Sequence, residues 1–131
     1  MAEGTKLLIV DDDLNQCKTL KKILDAKGYQ VFIAAGSQEA VKLVIETEFD
    51  LVLMDLLLKG DKNGVEIFRE MKKMRPQIKV MLFTGFGPEE ERRLLMEAQL
   101  EGMIDEFLRK PIELEELIKA VEKHVKRAGN D

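Results

Sequence analysis

Leu51, Val52, Leu53 and Met54 form an unbroken apolar run, and the next residue is Asp55. A strand with one wet face alternates apolar and polar residues. A run that is apolar at every position fits a strand covered on both faces, the situation inside a parallel sheet flanked by helices. Such a strand cannot carry a bare carboxylate through its interior. Asp55 therefore marks the strand's carboxyl end, where open α/β sheets bind ligands.

The same construction recurs along the chain. Leu7-Leu8-Ile9-Val10 ends on Asp11, Asp12 and Asp13, Val31-Phe32-Ile33-Ala34 is rich in β-formers, and Val80-Met81-Leu82-Phe83 ends on Thr84. Phe107-Leu108 forms a short fifth strand followed by Lys110-Pro111. Helical spacing fills the intervals. Leu14, Cys17, Leu20 and Leu24 lead to a Gly28 stop, with Asp13 as cap, and Ala40, Val41, Val44 and Ile45 follow a Ser37 cap. Val65, Ile67, Phe68, Met71 and Met74 end before Pro76, and Leu94, Leu95 and Ala98 follow the turn at Pro88. The last helix carries Leu114, Leu117, Ile118, Val121 and Val125 on one stripe.

Five strands alternating with five helices imply an α/β fold with a five-stranded parallel sheet and right-handed crossovers. The expected strand order is 2-1-3-4-5, with its reversal between strands one and three. The 131 residues suffice for one domain, spanning 1–131 with a core of about 6–127. No apolar run reaches the ~20 residues of a membrane helix. The N-terminus has no signal-peptide pattern. Cys17 is the one cysteine, which excludes an internal disulfide and suits a reducing compartment. A net charge of −4 gives no reason to expect a nucleic-acid surface, and three consecutive acids point to a cation instead.

The expected topology brings Asp11, Asp12 and Asp55 to the reversal, with Thr84 and Lys110 on the same rim. Crowded carboxylates resist full ionisation, and a hard divalent cation such as Mg²⁺ relieves them. Asp55 would then be a nucleophile forming an acyl phosphate, Lys110 a point charge for a phosphoryl oxygen, and Thr84 a hydroxyl donor to another.

At these residues the sequence resembles the receiver domain of two-component response regulators, from Leu7 to about Val125. The matching motifs are Ile9-Val10-Asp11-Asp12-Asp13, Leu53-Met54-Asp55, Phe83-Thr84-Gly85 and Phe107-Leu108-Arg109-Lys110-Pro111. The resemblance implies a flavodoxin-like, doubly wound (βα)5 three-layer sandwich in which Asp55 is the phosphoacceptor. It implies Mg²⁺ held directly by Asp12, through water by Asp11, and by Asp55 and the backbone carbonyl of Leu57. Thr84 and Lys110 correspond to the phosphate-sensing pair and Phe107 to the switch aromatic. The implied partners are a histidine kinase or histidine phosphotransfer protein, and a downstream protein on the helix 4, strand 5 and helix 5 face. The implied state is a cytoplasmic monomer or phosphorylation-dependent dimer that binds neither nucleic acid nor membrane. It is no enzyme beyond its own phosphorylation and a slow self-dephosphorylation, since apolar Leu57 and Phe86 flank the attacking water's path.

The chain departs from the family at two places. Leu58-Lys59 replaces the usual Met-Pro pair, in a loop to Gly64 one residue longer than usual. Thr84 and Lys110 stand 26 positions apart, roughly one helical turn beyond the family's spacing. A haloacid-dehalogenase-like phosphatase built on Asp11 and Asp13 is the enzyme alternative, but it lacks a late acidic pair and leaves Asp55 without a role. A degenerate receiver used only for docking is the other alternative, and the intact acids, Thr84 and Lys110 argue against it. Asp61-Lys62-Asn63-Gly64 lacks the closing glutamate of a calcium loop. Cys17, Met71 and Met74 read as core and His124 as packed at its edge. The chain is either a stand-alone receiver or a piece of a larger regulator or hybrid kinase.

Overall fold

A computed structural model describes residues 4–56, 58, 62–84, 89–100 and 106–129, without the side chains of 84, 90, 91, 95, 98–100, 106 and 126–129. Strands β1 (Lys6–Val10), β2 (Gln30–Ala34), β3 (Leu51–Asp55), β4 (Val80–Thr84) and β5 (Glu106–Arg109) alternate with five helices. These are α1 (Leu14–Ala26), α2 (Ser37–Glu46), α3 (Gly64–Met74), α4 (Glu89–Leu100) and α5 (Leu114–Gly129). Every strand pairing is parallel, and the order is β2-β1-β3-β4-β5. This is the flavodoxin-like sandwich expected from the sequence.

The apolar runs divide residue by residue between two cores. Leu7, Ile9, Leu51, Leu53, Met81 and Phe83 pack with Cys17, Leu20 and Leu24 of α1 and Leu117, Val121 and Val125 of α5. Leu8, Val10, Val52, Met54, Val80 and Leu82 face the other way, against Ala40, Val44, Ile67, Phe68, Met71 and Leu94 of α2, α3 and α4. Side chains alternate across a strand, so a run with no polar position is what two covered faces require. Met71 and Cys17 are core as expected, Met74 lies partly buried at the edge of its layer, and His124 is fully buried rather than peripheral.

Local chemistry sets the helix ends. Asp13 caps α1 by accepting from the Gln16 amide. At its other end Gly28 takes φ +98°, with its amide bonded to Asp25 O and that of Tyr29 to Leu24 O, a Schellman motif. Helix α2 corrects the expected cap. Gly36, with no side chain, occupies the N-cap and Ser37 is the first helical residue. Glu39 Oε1 instead accepts from the Ala35 amide at 3.0 Å. Arg75 reaches back from the end of α3 to donate to the Val44 and Ile45 carbonyls at 3.0 and 3.3 Å, filling the orphan acceptors of α2.

Three residues expected on apolar stripes are exposed: Leu14, Ile45 and Leu114. Leu14 and Leu114 are the first residues of α1 and α5. A helical side chain covers the turn N-terminal to its own Cα, so at the first position it projects past the end of the sheet. Ile45 belongs to the helix over edge strand β2, where the layer has a neighbour on one side only.

Candidate functional site

The topology delivers the acids to one rim. The Asp11 amide extends the ladder one step beyond β1 by donating to Ala34 O at 3.1 Å, and Asp55 pairs with Phe83 as the last residue of β3. Both side chains are buried, whereas Asp12 is exposed. One carboxylate oxygen from each of Asp11, Asp12 and Asp55 lies within 4.8 Å of the others. The three consecutive acids thus do different things. Asp13 turns away to cap α1, Asp12 faces solvent, and Asp11 points into the cluster with its Oδ1 accepting from the Asp13 amide at 3.0 Å.

Lys110 directly follows β5, and its peptide bond to Pro111 is cis. Its Nζ donates to Asp55 Oδ2 at 3.0 Å and lies 3.8 Å from Asp11 Oδ2. That Asp11 oxygen is buried and accepts no hydrogen bond. Burial pushes the Asp11 carboxyl above the ordinary aspartate range. The Asp13 amide and Lys110 pull it down, while the charges of Asp55 and Asp12 push it further up. Three carboxylates against one ammonium leave an excess of negative charge. A buried acceptor with nothing to accept, in an all-oxygen donor set, fits a hard divalent cation.

The remaining expected residues take these positions. Thr84 closes β4, in register with Arg109 and one step past the partner of Asp55, which sets its backbone at the same rim. Phe107 pairs with Leu82 and is partly buried against the α2–α3–α4 core. Leu57 and Phe86 lie outside the described residues.

Two features went unread in the sequence. Asn63 and Glu66 form a reciprocal capping box at the start of α3, with bonds of 3.0 and 2.9 Å. The Asn-x-x-Glu spacing carried that signal. Gly64 packs against the backbone at the end of β3, which no local pattern announces.

A doubly wound sheet with this acidic rim and its lysine defines a phosphoacceptor signalling class, and the chain belongs to the response regulator receiver domain family, whose model matches residues 7–122. The sequence is 33% identical over 125 residues to sporulation initiation phosphotransferase F of Bacillus subtilis (strain 168), covering 95% of this chain and 97% of that protein. It is 32% identical over 126 residues to the transcriptional regulatory protein ZraR of Salmonella typhimurium. That match covers 94% of this chain and 27% of ZraR, so the chain spans about a quarter of that regulator. A solved CheY-like receiver domain protein from Methanospirillum hungatei JF-1 superposes with a TM-score of 0.83 at 29% identity, over 95% of this chain and 96% of that one. Receiver domains of response regulators interact with histidine kinases or phosphotransfer proteins and generally bind Mg²⁺ at their acidic pocket. Among the described residues no helix is long and apolar enough to cross a membrane.

Proposed function

We propose that this chain accepts a phosphoryl group on Asp55 from a phosphohistidine of a kinase or phosphotransfer protein, in the presence of Mg²⁺. The observation that carries this reading is the cluster of Asp11, Asp12 and Asp55 within 4.8 Å, with Asp55 held by Lys110. In the transfer the N–P bond of the donor breaks and an O–P bond to an Asp55 carboxylate oxygen forms. The donor imidazole keeps the electron pair and takes up a proton.

Asp11, Asp12, Asp55 and the Leu57 carbonyl would hold the metal, which supplies charge neutralisation for the incoming phosphoryl group. Lys110 fixes the Asp55 carboxylate and, once the acyl phosphate has formed, presents its ammonium to the phosphoryl oxygens. Phosphoryl transfer needs little more than such positioning and charge. Thr84 provides the hydroxyl that the phosphoryl group draws in, and Phe107 turns into the space behind it. The two shift the equilibrium of the α4, β5 and α5 face toward the form a downstream partner binds.

Exposed apolar residues flank the acids. Leu14 and Leu114 are each 47% exposed, and Leu114 lines a groove of about 600 Å³ with Gln16, Leu20, Lys110, Pro111 and Ile112. The groove shares Lys110 with the acidic cluster, so a histidine-bearing helix seated there is the arrangement we propose for the donor. The assignment is tested by treating the protein with acetyl phosphate, with Mg²⁺ or with a chelator, and mapping the label by mass spectrometry. Acid-labile phosphate on Asp55 is expected only with Mg²⁺. Label that persists unchanged in Asp55→Asn refutes it.

A further inference from the structure

We infer that Gly64 is a positioning residue for the phosphoacceptor, an inference that rests on the receiver reading of the Asp55 site. A Cβ built on Gly64 would stand 2.7 Å from the Leu56 carbonyl oxygen, 2.9 Å from Leu56 Cα and 3.0 Å from the Asp55 carbonyl oxygen. All three atoms are backbone, so no flexible side chain can yield to relieve the contact. The requirement is for space and not for an unusual backbone angle. Among the described glycines only Gly4 and Gly28 have positive φ.

Gly64 closes the neck of the loop that leaves the active strand. Its amide donates to Leu56 O at 3.0 Å, so the chain departs after Asp55 and returns to within one hydrogen bond of the same point. Both sides of the neck are fixed. On the strand side Asp55 is in register with Phe83, and the Leu56 amide donates to Phe83 O at 3.0 Å. On the helix side the Asn63–Glu66 capping box sets where α3 begins, and Val65, Ile67 and Phe68 anchor it in the core. Leu58 is buried in that same layer.

A methyl group at residue 64 therefore meets backbone that is held on both sides of the neck. It must push the Asp55–Leu56 backbone away from α3. The Asp55 carboxylate moves with that backbone, relative to Asp11 and Asp12, which follow the end of the neighbouring strand β1. The cluster's spacing depends on an absent side chain nine residues further along the chain. A displacement of about an ångström is enough to cripple a positioned charge cluster.

The test compares Mg²⁺ binding by calorimetry in the wild type, Gly64→Ala and Asn63→Ala. Asn63→Ala loses the cap of the same helix but adds nothing near the strand end, so it controls for loosening of α3. Gly64→Ala is expected to bind Mg²⁺ at least tenfold more weakly than wild type, with phosphorylation by acetyl phosphate slowed in parallel. Asn63→Ala is expected to melt earlier and yet bind within twofold of wild type. Equal loss in both variants, or wild-type affinity in Gly64→Ala, overturns the positioning role. A wild type that binds no Mg²⁺ overturns the receiver reading instead, which keeps the two failures apart. Should Gly64→Ala not fold, amide exchange on the metal-free wild type decides. Protection of the Gly64 amide, equal to that of the core strands, is expected, and exchange at the unprotected rate shows an open neck and refutes the inference.

Discussion

Replacing Asp11 with asparagine should stabilise the metal-free protein. Its Oδ2 is buried without a hydrogen bond, 3.8 Å from Lys110 Nζ and in a cluster within 4.8 Å of Asp55. At an effective dielectric of about 20, the lysine at 3.8 Å attracts an ionised Asp11 by about 4 kcal/mol, and the Asp55 charge within 4.8 Å repels it by at least about 3.5 kcal/mol. The Asp12 charge adds to the repulsion, so the attraction is offset, and what remains is the cost of burying an ionised carboxylate, about 1–3 kcal/mol more than for a neutral amide. Asparagine removes the charge and keeps an oxygen for the Asp13 amide. Lys110 retains Asp55 at 3.0 Å, so no buried cation is stranded. A gain of ~2 kcal/mol raises Tm by about 7 °C for a domain of this length.

The assay is thermal circular dichroism at neutral pH, with a chelator and with saturating Mg²⁺. In chelator the variant should melt above the wild type. In Mg²⁺ the order should reverse, because a ligand at 100 times its Kd stabilises the wild type by ~2.7 kcal/mol and the variant by far less. The advantage should also shrink in mild acid. Asp11 has a raised folded-state carboxyl, so the native wild type binds its proton more tightly than the unfolded chain does. It gains stability as pH falls through that raised value toward 3.8. If the variant melts at or below the wild type in chelator, the acid cluster is not electrostatically strained and the argument for a cation site loses its physical basis.

Two further outcomes follow from burial and exposure. Burial, reinforced by the charges of Asp11, Asp13 and Asp12, pushes the Cys17 thiol up to about 11. Iodoacetamide should therefore label the native protein at pH 8 far more slowly than the unfolded chain, and the thiol's contribution to stability should be lost as pH rises from about 9 through 11. Equal labelling rates would refute this. Leu14→Ser combined with Leu114→Ser should leave acetyl phosphate labelling of Asp55 unchanged while reducing transfer from a phosphohistidine partner at least tenfold. Loss of both activities would show that the two leucines serve the fold and not docking.

How legible each part was depended on how local its cause is. Strand identity and order could be read because an apolar run with no polar break, such as Leu51–Met54, has few other uses, and its terminal Asp55 dates the end of the strand. The caps at Asp13 and Gly28 could be read because each rests on its own chemistry within one turn. Gly64 could not, since the reason for its missing Cβ is the backbone of residues 55 and 56, across a loop. Leu14 and Leu114 misled for a related reason. The 3.6 period assigns a face to a side chain but not a layer to cover it, and at the first turn of α1 and α5 the sheet has already ended. Leu14, Leu114, Gly64 and the acids meet at one rim, whereas Ile45 and the Gly36 cap belong to α2. Leu14 and Leu114 open the helices that follow the acids and Lys110, Gly64 packs on the Asp55 and Leu56 backbone, and Asp11 Oδ2 is buried unsatisfied. A core position is settled by its neighbours in the fold. Residues that break the local rules together at a single rim are the ones on which the proposed cation, phosphoryl group and donor protein would act.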